Sequence, residues 1–301
     1  MGTTTHRFLL SIGASVGVLA LASASLPASA VDPIACGDVI TTSTTLTQDL
    51  VCSSGNGLEI GANGVVLDLA GFTLSGSPTT GVGVNLAYRD NVVVANGTIE
   101  GFNVGVEIQQ STRVSISKVN IATRDRGINI GGGGGHLIEK NVIADVGRDG
   151  VRVGGESTGT VVTKNTVTGA VWGISVTDNA VGTVVEKNIA TGNENMGVGA
   201  FGAPSGTRFL KNVVSTTRDH GIIIGAGAAN SYLEKNEVYT SGQVGIKVED
   251  SRTTLIKNIV VNNGGLGIQA PTGVTGSGNL AAGNNGGVDP QCTGVVCLPY
   301  I

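Results

Sequence analysis

The sequence predicts an all-β solenoid, one chain coiled into short parallel strands, and three observations predict it. The first is a Gly-aliphatic-x-aliphatic unit that recurs nine times, starting at Gly83, Gly105, Gly127, Gly150, Gly173, Gly197, Gly221, Gly245 and Gly267, with spacings of 22 to 24 residues. Repetition at such a period marks stacked supersecondary units. The second is an aliphatic-x-Lys-Asn unit in step with the first, ending at Asn141, Asn165, Asn188, Asn212, Asn236 and Asn258, with weaker versions at Lys118-Val119 and Ala95-Asn96. The third is composition: 49 glycines, 7 prolines, 3% aromatics and 13% charge in 301 residues. Such a chain is too apolar for disorder and too poor in aromatics for an ordinary globular core.

Each repeat holds alternating segments of Val, Ile and Thr broken by Gly, Asn and Asp, with no helical periodicity between them. A unit this short is too small for a strand-helix-strand crossover. It suffices for one rung of three strands and three turns, stacked on its neighbours at roughly 4.8 Å. An Asn repeated at one register is expected to take a left-handed turn while its amide bonds the Asn of adjacent rungs. Gly is expected at a second corner, where a side chain is hindered. These two columns resemble the Asn-rich repeats of the parallel β-helix proteins in the pectate-lyase-like superfamily, NosD-type repeats among them, from Val65 to about Gly278. The resemblance implies a right-handed coil, the usual hand of parallel crossovers. The expected fold is thus a right-handed parallel β-helix of about nine rungs over residues 65–278.

The ends differ from the middle, as a solenoid with open terminal edges requires. Arg7, the apolar run Phe8–Ala22 and the small-x-small site Ala28-Ser29-Ala30 read as an export leader over residues 1–30. The run is shorter than a spanning helix needs, so no membrane anchor is expected. Residues 31–64 are expected as an N-terminal cap and residues 279–301 as a C-terminal cap. Each carries one local cysteine pair, Cys36 with Cys52 and Cys292 with Cys297, expected as disulfides in a secreted, extracellular chain. Without Arg7 the chain has 17 basic against 22 acidic residues, a net charge of −5 that does not favour nucleic acid. A monomer is expected.

In the resembled superfamily, polysaccharides lie along one outer sheet. The strand after each Gly is the candidate, and the middle residues that should point outward are Asn85, Glu107, Asn129, Arg152, Ser175, Gly199, Ile223, Lys247 and Gln269. The residues just before each Gly run Val82, Val104, Arg126, Asp149, Trp172, Met196, His220, Val244 and Leu266. Apolar ends and a polar or aromatic middle are what a central groove would produce. One cluster gathers Arg124, Asp125, Arg126, Arg148, Asp149 and Arg152. Arginines pair with the carboxylates of a uronate polymer in bidentate fashion, and an acid such as Asp149 can hold Ca2+ or a proton. The bland alternative is a charged turn with surface ion pairs.

The second cluster is Arg218, Asp219 and His220, with Glu194 and Asn195 one rung away. An Asp can orient a His as a general base, although neighbours on a strand point to opposite faces. Trp172 can stack on a sugar or cap the interior. His136, after Gly131–Gly135, is expected on a loop. The catalytic candidates are therefore Asp149, Arg152, Asp219 and His220, and the substrate-binding candidates Arg126, Asn129, Glu107 and Trp172. The catalytic motifs of polygalacturonases are absent, and Asp219-His220 is only a fragment of the Asp-Pro-His of mannuronan epimerases. Copper lacks ligands, since two histidines and one methionine remain after the leader and the cysteines pair. Two functions stay open: engagement of an acidic polysaccharide, as a lyase or epimerase, or a non-catalytic extracellular scaffold.

Overall fold

The computed structural model describes residues 1–2, 33–77 and 81–299, so the leader expected over residues 1–30 lies, but for its first two residues, outside the described residues. From Ile34 onward the chain is a coil of parallel strands with three faces. The first face is one sheet of 12 strands, from Val39–Ile40 to Cys292–Thr293, each paired only with the strand one turn before and one turn after. The second and third faces share the long strands Val93–Glu100 and Ser115–Ala122, and in later rungs split into pairs such as Leu137–Glu139 with Val142–Ala144. No α-helix occurs among the described residues; Asn285–Gly287 forms a single 3-10 turn.

The coil makes about 11 turns rather than nine. The added turns sit at the ends, where the repeat is weak in sequence. Leu58–Ile60 pairs in parallel with Val82–Ala87, and its Gly57-Leu-Glu-Ile matches the Gly unit, 26 residues ahead of Gly83. Both expected disulfides are present, Cys36–Cys52 in the first turns and Cys292–Cys297 in the last.

Alternation along each strand turns one apolar residue per rung inward on the second and third faces, such as Ile138, Val162, Val185 and Phe209 on the second. The first face turns two inward, such as Val151 with Val153 and Ile174 with Val176. The core is therefore a bundle of aliphatic columns rather than a globular centre. A burial of about 1.5–3 kcal/mol per such side chain recurs at every rung.

The Asn column forms the expected ladder. From Asn141 through Asn165, Asn188, Asn212, Asn236 and Asn258 to Asn279, each Oδ1 accepts both the backbone N–H and the Nδ2–H of the preceding Asn, at 2.9–3.0 Å. Each Nδ2 also donates to a carbonyl about one turn back, as Asn212 does to Val185 at 2.8 Å. The left-handed position, however, belongs to the residue before each Asn, a Lys everywhere but at Gly278, and to Lys118 before Val119. Lys118, Lys140, Lys164, Lys187, Lys211, Lys235 and Lys257 all have φ between 52 and 57°. That conformation costs about 1–2 kcal/mol for an L-residue. It swings the next residue inward, where only a side chain with both donor and acceptor can satisfy the corner, and the lysine keeps its ammonium in water. A second ladder stands at the corner between the third and first faces, where Asn263 donates to Asn284 at 2.8 Å.

The Gly column is explained by close approach. A Cβ at Gly150 would sit 2.5 Å from the carbonyl oxygen of Gly173 and 2.3 Å from Val167 Cγ1. Gly131–Gly135 do not loop out: the strand Arg126–Gly134 runs on through them, pairing Gly133 with Ser111. A Cβ at Gly133, where φ is +79°, would lie 1.6 Å from the Ser111 carbonyl oxygen. His136 lies, as expected, in the short link between this strand and Leu137–Glu139, but it is buried there. Its Nδ1 accepts the Val114 N–H at 3.4 Å and its Nε2 lies 3.3 Å from the Gly132 carbonyl. Burial pushes its pKa below the usual histidine range, although the Gly132 carbonyl pulls the other way.

Two outcomes follow. Asn212→Ala takes the acceptor from Asn188 and the donor from Val185, and should lower the unfolding free energy by about 2–4 kcal/mol in denaturant titration. A histidine with a depressed folded pKa contributes stability that is complete above the unfolded value of about 6.5 and lost as pH falls toward the folded value. The melting temperature should therefore fall between about pH 7 and pH 5, and His136→Asn should flatten part of that slope.

Candidate functional site

The two outward columns of the first face take the predicted register. Asn85, Glu107, Asn129, Arg152, Ser175, Gly199, Ile223, Lys247 and Gln269 stand opposite one another in successive strands. Val104, Arg126, Asp149, Trp172, Met196 and His220 do the same. Pairing skips the intervening Gly, so both columns end on the outer side. That places Ser175 against Asp149 although they belong to different columns.

Three of the predicted residues form one connected network, which Asp178 extends. Glu107 accepts Nδ2–H of Asn129 at 2.8 and 2.9 Å, and Asn129 Oδ1 accepts Nη1–H of Arg152 at 3.1 Å. Arg152 then forms an ion pair with Asp178 in the following turn. Beside it, Asp149 is fully buried and accepts from Ser175 Oγ at 2.6 Å and from Arg126 Nε at 3.1 Å, with Arg148 Nε at 3.7 Å. Arg126 also meets Asp125 at 3.1 Å. Asp149 thus has its oxygens occupied, with two guanidinium groups, those of Arg126 and Arg148, gathered about it. Burial first, and then the Arg126 guanidinium, push Arg152 down from the usual arginine range, against Asp149.

Two adjoining clefts open on this face. The first, about 320 Å³, is bounded by Arg148, Arg152, Ser175, Asp178, Trp172 and Phe201. The second, about 230 Å³, shares Trp172 and Phe201 and continues to Met196, Ile223 and Glu249. Trp172 lies on the outer side, not in the interior. Its ring meets Phe201 edge-on at 5.4 Å and carries the Arg148 guanidinium 5.5 Å from its centroid. Arg148, about half exposed, donates to no protein acceptor within hydrogen-bonding reach among the described residues.

His220 belongs to a separate region. It is half-buried, its Nδ1 is enclosed without a hydrogen-bond partner, and no hydrogen bond joins it to Asp219, which accepts from Gln243 at 3.1 Å. Burial first and Lys247 second push its pKa below the usual range, while Asp219 and Glu249 pull it up. Ile223, in the strand of His220, stands three strands beyond Arg152, roughly 14 Å along the coil. The two predicted clusters therefore face different parts of any long ligand. Phe201 and Asp178 escaped the sequence analysis because both lie in turns just past the strand ends; the signal for Asp178 was the turn pair Asp178-Asn179.

Among the described residues no group of three His, Cys, Asp or Glu side chains converges as a metal site. Nor do copper ligands assemble: the cysteines are bonded to each other, His136 faces backbone groups, and Met196 with His220 makes only a pair. No described helix is long and apolar enough to cross a membrane.

A family profile described as right handed beta helix region matches residues 56–214, more than half of the chain. The chain belongs to the right-handed β-helix family. A second profile, periplasmic copper-binding protein (NosD), matches residues 156–285 of this β-helix. Compared by sequence with curated proteins, the chain matches none significantly. Among solved structures it resembles the periplasmic alginate epimerase AlgG at 17% identity and a TM-score of 0.64, over 78% of this chain. It spans 61% of that protein's chain. It also resembles the A-module of the Azotobacter vinelandii mannuronan C-5 epimerase AlgE4 at 15% identity and a TM-score of 0.63, covering 80% of this chain and 83% of that one. A third likeness is to the catalytic unit of an alpha-1,3-glucanase from Streptomyces thermodiastaticus, at 14% identity and a TM-score of 0.56, over 83% of this chain and 58% of that one. At these identities the β-helix shares a fold with them. Its two disulfides fit a compartment outside the cytosol.

Proposed function

We propose that this β-helix protein is exported and binds an acidic polysaccharide along its first face, with a sugar carboxylate on Arg148 and Arg152. The observation that carries this reading is the Arg148 guanidinium, held over Trp172 at the lip of the first cleft, its Nε 3.7 Å from Asp149 and its two terminal nitrogens without a protein partner among the described residues. A planar guanidinium matches a carboxylate bidentately, and the aromatic wall of Trp172 and Phe201 suits the C–H faces of a pyranose. Asp178, now on Arg152, occupies the place a ligand carboxylate would take. The similarity of fold to two epimerases and a glucanase, all named for polysaccharide substrates, supports the same class of ligand. A leader and two disulfides support export.

Arg148→Ala should weaken binding of the preferred polymer among pectate, alginate, hyaluronan and chondroitin by about tenfold or more in calorimetry, the range of a charge-assisted hydrogen bond. Its melting temperature should scarcely change, because the side chain is half exposed. Failure of the wild-type protein to bind any of the four would leave the scaffold reading in its place.

A second reading, turnover by lyase or epimerase chemistry, is favoured by His220. Its depressed pKa keeps the imidazole neutral near pH 7, and Lys247 stands one strand away in the same sheet. A neutral imidazole can take the C5 proton beside a uronate carboxylate, the electron pair passing into the carboxylate; its return either breaks the C4–O bond, the imidazolium giving its proton to the leaving oxygen and a C4–C5 double bond remaining, or takes a proton from water on the opposite face to give the epimer. His220→Ala should then abolish new unsaturated ends or altered sugar stereochemistry while the polymer still binds. A wild-type protein that binds and yields neither product would confine the function to binding.

A further inference from the structure

We infer that the second cleft is a subsite for a small apolar ester substituent on the acidic polysaccharide, an O-acetyl group or a methyl ester. This rests on the reading of the first cleft as the carboxylate site. The two share Trp172 and Phe201, so a chain seated on Arg148 and Arg152 passes directly into the second.

There the polar column stops. Arg152 and Ser175 give way to Gly199 and Ile223, while Lys247 resumes the polar series one strand on. Gly199 has no room for a side chain, since a Cβ would lie 2.5 Å from Met196 Sδ and 2.8 Å from the Ile223 carbonyl. The cleft is consequently walled by Trp172, Phe201, Met196 and Ile223, in about 230 Å³. That space suits an acetyl group with part of its ring, against the roughly 30 Å³ that one water takes in the liquid.

The rim selects against a second bare carboxylate. Glu249 stands at its edge, already 2.9 Å from Lys247, and would repel another anion. At the opposite edge the Asn195 side-chain amide is exposed and makes no hydrogen bond to the protein among the described residues, leaving its N–H for an ester carbonyl. A sugar without an ester would bury only its ring C–H faces, on Trp172 and Phe201, and leave Met196 and Ile223 uncovered. An ester methyl would cover them.

The test compares binding of one polyuronate in three forms: O-acetylated, deacetylated, and partly methyl-esterified. An ester form should bind roughly fivefold to tenfold more tightly than the bare polymer, the gain from burying one or two carbon groups. Preference for the acetylated form puts the ester on a hydroxyl; preference for the methyl-esterified form puts it on a carboxylate. Ile223→Asn, a residue the same column holds at Asn85 and Asn129, should erase that preference and leave the bare polymer's Kd within about twofold of wild type. Ile223→Ser, matching Ser175, serves if the first variant melts early. Equal affinities for all three forms, or a preference that survives both substitutions, overturns the subsite while the carboxylate site stands. Loss of bare-polymer binding in Arg148→Ala, with the ester preference intact, separates the two clefts; absence of binding to any form removes both.

Discussion

Parallel strand pairing sets successive turns roughly 4.8 Å apart, and that spacing is the constraint on which everything else in the protein depends. Whatever stands at one position stands against its own counterpart above and below. A buried polar group at a corner must therefore find its partner in a copy of itself, and few side chains can do so. Asn can, because its amide donates and accepts along the same axis. The ladder from Asn141 to Asn279 satisfies seven corners with one residue type. The same spacing brings backbone to backbone at the opposite corner, where a Cβ on Gly150 would strike the Gly173 carbonyl. Aliphatic columns between these corners fill the interior without needing large aromatic residues.

Repetition of this kind separates structural from functional residues. A side chain that recurs at every turn answers to the coil, as the lysines with φ near 55° do. Function must be sought where a column departs from its own pattern on an exposed face. The first face departs most. Its outer columns pass from Asn and Glu through Arg126, Arg152 and Trp172 to Gly199 and Ile223 within a few turns, and the two clefts open there. The second and third faces mostly turn Thr, Val and Glu outward, and the chief departure on the second is Arg208 stacked on Tyr232.

Because the coil is periodic, most of it was legible in the sequence. Strand register on the first face, the two disulfides, the Asn ladder and the outward placement of Asn129 and Arg152 follow from spacing; Arg126, Asp149 and Trp172 come outward because pairing skips the Gly after them, which the period does not show. What escaped depends on backbone detail that spacing does not carry. Lys and Asn are adjacent and repeat together, so the period cannot say which of them takes the left-handed turn. Gly57-Leu-Glu-Ile repeats the Gly unit, but its longer interval of 26 residues hid an extra turn. His136 follows five glycines that resemble a loop, yet the neighbouring strand Val104–Thr112 is long enough to pair with them and draw the histidine inside. Phe201 and Asp178 close the cleft from turns, where the repeat is silent.

The same geometry limits what chemistry the site can perform. Groups that act on one reacting atom must approach it within about 3–3.5 Å, and a coil delivers one outward residue per column at each turn. Partners in catalysis must therefore come from the same or neighbouring turns. Arg152 and His220, roughly 14 Å apart along the axis, cannot serve one sugar. Asp149 is not a free base either, since Ser175, Arg126 and Arg148 surround it. The arginine cluster and the His220 region are thus two separate environments on one face. Under the function proposed above, a polymer lying along the face would meet them one after another, and the order of its charged and esterified sugars, rather than the identity of any single sugar, is what such a surface would distinguish.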